Sequence, residues 1–201
     1  MEPLTREILD FWFGEPDDQG MPPADKVERW FKKNAEFDDE IRRRFASYLE
    51  TARMGALDRW TEGDAGSVAL IVLLDQFPRN IYRGDSRSFL YDKKALSLTR
   101  LLIDSGRLTG MPGIHAYFCL MPAMHAEDEA VQNEGITLFD EAAARAESPA
   151  VEQMLRAAHG YAVQHRDIIA RFGRFPHRNS ILGRPSTPEE EAFLQTPGSS
   201  F

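Results

Sequence analysis

The chain has little of what marks a secreted, membrane or zinc-binding protein. Cys119 is the only cysteine, which excludes an intrachain disulfide and a zinc site built from cysteines. The first residues lack the basic stretch and apolar core of a signal peptide. No apolar run reaches the ~20 residues that cross a bilayer. We therefore expect a cytoplasmic protein without a membrane partner.

An excess of basic residues is also missing. The formal net charge is −8, which argues against nucleic acid as a partner. Hydrophobic residues make up 42% and charged residues 28%, as in ordinary soluble globular proteins. With 201 residues the chain can bury a substantial core, and we predict one domain over residues 1–201, with a tail at 196–201.

Alternating apolar and polar positions, which would indicate strands, are absent too. Apolar residues instead recur at helical spacing between capping signals, such as Ser148-Pro149 and Thr187-Pro188. The longest apolar run, residues 68–74, is apolar on every face and predicts a buried central helix at about 67–77, with a strand as the alternative. Pro78 should end this helix. The fold class predicted is all-α.

The neighbouring helices are less sharply bounded by the sequence. Ser86 or Ser88 can start the next one, which should end at Gly106. Pro122 should break or kink the apolar segment at 114–121, so a new helix is expected from Ala123 to about Ala146.

One short pattern occurs twice. Residues 77–80 read Phe-Pro-Arg-Asn, and residues 175–179 read Phe-Pro-His-Arg-Asn. Each copy follows an apolar helical stripe. One interpretation is a helix-ending device used twice. The other is that two similar polar edges face a single site.

Several motifs together resemble a known bacterial family. They are Leu-Asp-Phe-Trp-Phe-Gly at 9–14, Leu-Asp-Gln-Phe-Pro-Arg-Asn-Ile-Tyr-Arg-Gly at 74–84, His-Ala-Glu-Asp at 125–128, and His-Arg-Asp at 165–167 followed by the segment 175–179. The pattern is similar to domain of unknown function 924 and extends over nearly the whole chain. Ala126 and Glu129 depart from it, since a serine and an apolar residue are expected there. The resemblance implies a tetratricopeptide-like superhelix or antiparallel bundle around the central helix. It implies no activity, so no catalytic residue carries over.

Candidate ligand-binding residues follow from the repeated pattern. Asp75 comes at the end of the buried run, where an unpaired carboxylate is unfavourable, and Arg79 or Arg83 is the expected partner. A buried ion pair that holds the helix end is one interpretation, and an acid held ionised beside a ligand is the other. The candidate set is Asp75, Arg79, Asn80, Arg83, Arg178 and Asn179.

Candidate catalytic residues are His125, Asp128 and His165. His165 falls on the apolar stripe of its helix, where a hydrogen-bonded core histidine is the commoner case. His125 and Glu129 are one helical turn apart, but two ligands do not make a metal site. We therefore predict no metal and no cofactor.

Charge is distributed unevenly along the second half of the chain. Residues 156–184 contain one acid, Asp167, and no lysine, against the arginines Arg156, Arg166, Arg171, Arg174, Arg178 and Arg184. Residues 123–152 are instead rich in acids. Two adjacent helices that neutralise each other explain this pattern. Arginine without lysine also suits bidentate capture of carboxylate or phosphate.

Two functions remain open at this stage. The first is a helical-repeat-like binding module whose concave face holds an anionic small molecule or an acidic peptide. The second is a small-molecule enzyme, a hydrolase or phosphate-handling protein, with an arginine–asparagine anion site and a histidine acid or base. If the two Phe-Pro ends form a single polar site, the guanidinium groups of Arg79 and Arg178 should lie within ~10 Å, about one Debye length. The alternative is that each arginine pairs locally and the two ends do not meet. The oligomeric state is left open.

Overall fold

The computed structural model describes residues 1–199, which form helices and turns. The helices are α1 Pro3–Trp12, α2 Ala24–Phe31, α3 Ala35–Arg53, α4 Asp64–Ile71, α5 Phe77–Ile81, α6 Asp92–Asp104, α7 Gly113–Met124, α8 Glu129–Ala144, α9 Pro149–Phe172 and α10 Pro188–Leu194. Within residues 1–199 there is no strand, so the all-α prediction is confirmed. The tetratricopeptide-like arrangement stays a prediction. No helix over this range has the length and apolar character needed to cross a membrane.

The central element is longer than predicted. A π-helical turn, Val72–Gln76, joins α4 to α5, so the chain is helical from residue 64 to residue 81. The prediction that Pro78 ends the helix is wrong. In the π turn the Phe77 N–H donates to the Val72 carbonyl, five residues back. This shifted pattern lets proline, which has no N–H, sit in the first turn of α5 without losing a regular bond.

Burial of the central element is complete over the apolar run. Leu70, Leu73 and Leu74 are each 0% exposed, as predicted. Rings from the N-terminal helices cover its end: Phe45 stacks on Phe77 at 4.7 Å, and Trp12 meets the same ring edge-on at 5.6 Å. Burial of large aromatic side chains makes this the main apolar core of the protein.

Two further boundaries differ from the sequence prediction. Helix α7 runs through Pro122 to Met124, and α8 begins only after Asp128, whose carboxylate caps it by accepting from the Val131 N–H. The helix predicted to begin at Ala123 was therefore placed too early. Likewise, Ser86–Phe89 is a short 3-10 turn, and α6 begins at Asp92.

Helices α8 and α9 pack antiparallel, since Arg156 contacts Asp140 while Arg166, further along α9, contacts Asn133, earlier in α8. Helix α9 ends at Gly173, which has a left-handed φ of 68°. Pro176 then starts the 3-10 turn Pro176–Arg178. Neither Phe-Pro pair therefore ends a helix, and the helix-ending interpretation of the repeat is wrong.

Candidate functional site

Asp75 lies inside the π turn and is 0% exposed. Its carboxylate contacts His125 Nδ1 at 2.8 Å, accepts a hydrogen bond from Gln76, and lies 3.6 Å from Arg79. Burial raises the pKa of this carboxyl, but the nearby His125 and Arg79 outweigh that effect and hold the pKa at about 2. Asp75 is therefore ionised at neutral pH.

His125 is the residue directly after α7, so the end of that helix places its ring beside the π turn. Burial and the positive charge of Arg79 lower the pKa of His125, so the imidazole is neutral at pH 7. An ionised carboxylate only accepts hydrogen bonds, so the proton must be on Nδ1, where it is donated to Asp75. Nε2 then carries a lone pair, and this tautomer is that of a general base.

Asp92 brings the two copies of the repeated pattern together. Arg79 donates to both of its oxygens, at 2.9 and 3.2 Å. Arg178 lies 3.6 Å from Asp92 Oδ2. The two guanidinium groups thus contact one carboxylate and lie within about a Debye length of each other, ~10 Å, which agrees with the distance expected for a shared site.

Arg178 has an unusual environment. It is 7% exposed, and its guanidinium carbon lies 4.4 Å from the centre of the Phe175 ring and 4.6 Å from that of Phe89. Within residues 1–199 its side chain donates no hydrogen bond, and Nε is buried without an acceptor. Burial, together with the charge of Arg79, lowers the pKa of Arg178 to about 10. A buried guanidinium with unfilled donors is unfavourable unless an acceptor reaches it.

Two more histidines line the same region. The His165 ring is 6.3 Å from the ring of His125 and 5.6 Å from that of Phe175. His165 Nδ1 donates to the Tyr161 carbonyl at 2.8 Å. Burial and the proximity of His125 lower the pKa of His165 to about 3. Burial and Arg178 lower the pKa of His177 to about 4. Both rings are therefore neutral at pH 7.

Four of the predicted residues lie elsewhere. Asn80 and Arg83 both donate to the buried Asp38 on α3, at 2.8 Å and 3.0 Å. Asn179 bonds Ser186 and Glu190 within the C-terminal segment. Asp128 is the cap of α8, as described above. Of the predicted set, the structure brings together Asp75, Arg79, Arg178, His125 and His165.

The segment that carries Arg178 is held to the body of the protein by polar contacts. Glu127 accepts from both terminal nitrogens of Arg184, at 2.6 and 2.9 Å, and from the Phe175 N–H at 2.8 Å. The apolar contacts of this segment form a small cluster, separate from the main core, in which Phe175 packs with Ile168 and Ile169. Arginines of the C-terminal segment therefore pair mainly with acids outside α8, so the charge-neutralisation interpretation holds only in part.

An open depression elsewhere on the surface has a different character. It has a volume of about 680 Å³ and is lined by residues of α1, α2 and α3. Two of the cations that line it already have partners: Arg44 contacts Glu7 and Glu40, both at 3.1 Å, and Lys26 donates to the Phe11 carbonyl at 2.8 Å. It offers a ligand no unfilled buried donor, and we do not consider it the functional site.

Comparison with known proteins places the chain in a family. The family model described as a bacterial protein of unknown function (DUF924) matches residues 8–198. The chain belongs to this family. The structure of a protein of unknown function, ATU0120, from Agrobacterium tumefaciens is similar, with 36% identity and a TM-score of 0.78 over 96% of this chain and 97% of that one. No curated protein matches.

Sequence reasoning missed three residues of the site. Asp92 and Phe89 lie in an ordinary helix-start region and carry no motif of their own. His177 lies inside the repeated Phe-Pro pattern, between Pro176 and Arg178. This position is the one feature of the sequence that could have marked it as a site residue. Among residues 1–199 no three His, Cys, Asp or Glu side chains are grouped to hold a metal ion, and the absence of a metal or cofactor stays a prediction.

Proposed function

We propose that the protein binds a small anionic molecule, whose negative group is held by Arg178 between α5, α6 and the segment after α9. The observation that carries this proposal is the Arg178 side chain, which is 7% exposed and makes no hydrogen bond within the described chain. Arginine offers five N–H donors in one plane, a geometry that matches carboxylate and phosphate oxygens. Asp92 does not fill these donors, because its nearest oxygen lies 3.6 Å from Arg178, beyond hydrogen-bond distance.

The burial of the site favours a small molecule over an acidic peptide. A peptide laid along a concave face would need cations spread over an open surface, whereas here the guanidinium is enclosed by two phenyl rings. A cytoplasmic location is also part of the proposal, and cell fractionation tests it.

Thermal unfolding with a panel of small anions at constant ionic strength tests the binding proposal. The wild-type protein should be stabilised by at least one anion, and Arg178→Gln should remove that effect. Arg171→Gln is the matched control, because Arg171 is an exposed arginine of α9 that pairs with Glu189. Equal stabilisation of wild type and Arg178→Gln by every anion tested would refute the proposal.

The second candidate is a small-molecule hydrolase, and the Asp75–His125 contact at 2.8 Å favours it. An ionised carboxylate behind a neutral imidazole orients the ring and stabilises the imidazolium that forms when Nε2 takes a proton. Nε2 would accept a proton from water as the hydroxide attacks, and would return it to the leaving group. Turnover of generic p-nitrophenyl esters and phosphates should then depend on His125. His159→Asn is the control for His125→Asn, and equal rates in the two variants would exclude this role.

A further inference from the structure

The surroundings of Arg178 also restrict the charge of its ligand, if the proposed anion site is right. Three carboxylates lie around it. Asp92 is 3.6 Å from its guanidinium, Asp75 is the ion-pair partner of the adjacent Arg79, and Glu127 holds the segment that carries it. Asp75 and Asp92 already balance Arg79 and Arg178, and Glu127 balances Arg184. A ligand therefore enters a site that is short of hydrogen-bond acceptors but not of negative charge.

The histidines do not change this balance. His125, His165 and His177 all face the region, and all three are neutral at pH 7 because burial lowers their pKa values. Burial disfavours the protonated form of each ring, and the positive charges of Arg79, at His125, and of Arg178, at His177, act in the same direction. No additional cation among the described groups around Arg178 is thus available to balance a second negative charge on a ligand.

The aromatic walls make a second charge more unfavourable still. The Phe89 and Phe175 rings cover the guanidinium at 4.6 and 4.4 Å. The cost of bringing an ion into such a low-dielectric environment rises with the square of its charge, so a dianion is penalised far more than a monoanion. Repulsion from the three carboxylates grows with the ligand charge as well.

The rings also restrict the direction of approach. When rings cover a guanidinium, acceptor atoms reach its N–H groups best in the guanidinium plane. A planar carboxylate presents two oxygens in one plane and can form two parallel hydrogen bonds there. From these three features we infer that the ligand is a singly charged carboxylate rather than a phosphate monoester or other dianion. This inference rests on the proposed function.

Three small anions of matched size separate charge from shape. Acetate is planar and singly charged, methyl phosphate is tetrahedral and doubly charged at pH 7.5 because its second pKa is about 6, and dimethyl phosphate is tetrahedral but singly charged. Each is titrated against the full-length protein at pH 7.5 and constant ionic strength, with thermal unfolding as the readout. The titrations are repeated with Arg178→Gln, Arg178→Lys and Arg171→Gln. Circular dichroism of each variant checks that the helices are retained, and Arg178→Lys keeps the charge should Arg178→Gln fail to fold.

We expect acetate to bind at least about tenfold more tightly than methyl phosphate, and dimethyl phosphate to bind more tightly than methyl phosphate. Stabilisation by acetate and by dimethyl phosphate should be lost in the Arg178 variants and retained in Arg171→Gln. If methyl phosphate binds as tightly as acetate through Arg178, the inference about ligand charge is wrong while the anion site stands. If no anion acts through Arg178, the proposed function itself fails, and the inference fails with it.

Discussion

Replacing Asp92 with asparagine tests whether the two arginines depend on a shared carboxylate. Asp92 accepts from both terminal nitrogens of Arg79 and is the only acid within 4 Å of Arg178 among the described residues. Asparagine keeps the size of the side chain but removes its charge. Arg79 and Arg178 then face each other without the carboxylate between them. Among the described residues, Asp75 is the one carboxylate left in ion-pair contact with this pair, and it contacts Arg79.

The size of the effect follows from the burial of the pair. Removing one partner of a fully buried ion pair destabilises by about 3–5 kcal/mol. The Arg79 and Asp92 side chains are 21% and 20% exposed, so solvent screens part of the interaction. We therefore expect a loss of about 2–4 kcal/mol in the free energy of unfolding. Urea titration at pH 7, followed by circular dichroism, measures it.

Asp85→Asn is the matched control. Asp85 also accepts two hydrogen bonds from the guanidinium of one arginine, Arg87, but that pair is largely exposed, so asparagine there should have little effect. Acetate should also stabilise Asp92→Asn more than wild type, because a bound carboxylate restores the negative charge that asparagine removes from beside Arg79 and Arg178. If Asp92→Asn and Asp85→Asn unfold at equal urea midpoints, the charge of Asp92 contributes nothing to stability and the reasoning fails.

Three further predictions concern the core, the histidines and the C-terminal segment. Leu73→Ala should destabilise by about 2–5 kcal/mol in urea, because a fully buried side chain leaves a cavity, and a change well below that range would place the central helix outside the core. Stability should rise with pH between about 4 and 6.5, because His165 and His177 have depressed pKa values in the folded state and bind protons more readily when unfolded. His165→Gln should flatten this rise in denaturant titrations across that range, whereas an unchanged profile would show that His165 is not buried and neutral. Glu127→Gln should speed tryptic cleavage after Arg174, since it weakens the contacts of Glu127 with Arg184 and with the Phe175 N–H that hold the segment, and identical digestion of wild type and variant would contradict this role.

Local signals predicted much of the helical structure. Ser148 and Thr187 cap their helices as expected, the latter with Glu190 in a capping box. Residues 68–74 are buried as their apolar character on every face requires. These features depend on hydrogen bonds and burial within one or two turns of a helix, so a single stretch of sequence contains the information that decides them.

The sequence alone thus determined which segments are helical, that the central run is buried, and that the repeated Phe-Pro patterns carry candidate site residues. Tertiary structure decided how those residues are paired. Pro78 is accommodated by a π turn, Asn80 turns toward Asp38, and Arg79 meets Arg178 through Asp92. The physical reason is that an ion pair between residues 86 positions apart, such as Asp92 and Arg178, leaves no periodic trace in the chain. Such a pair depends on how helices pack in three dimensions.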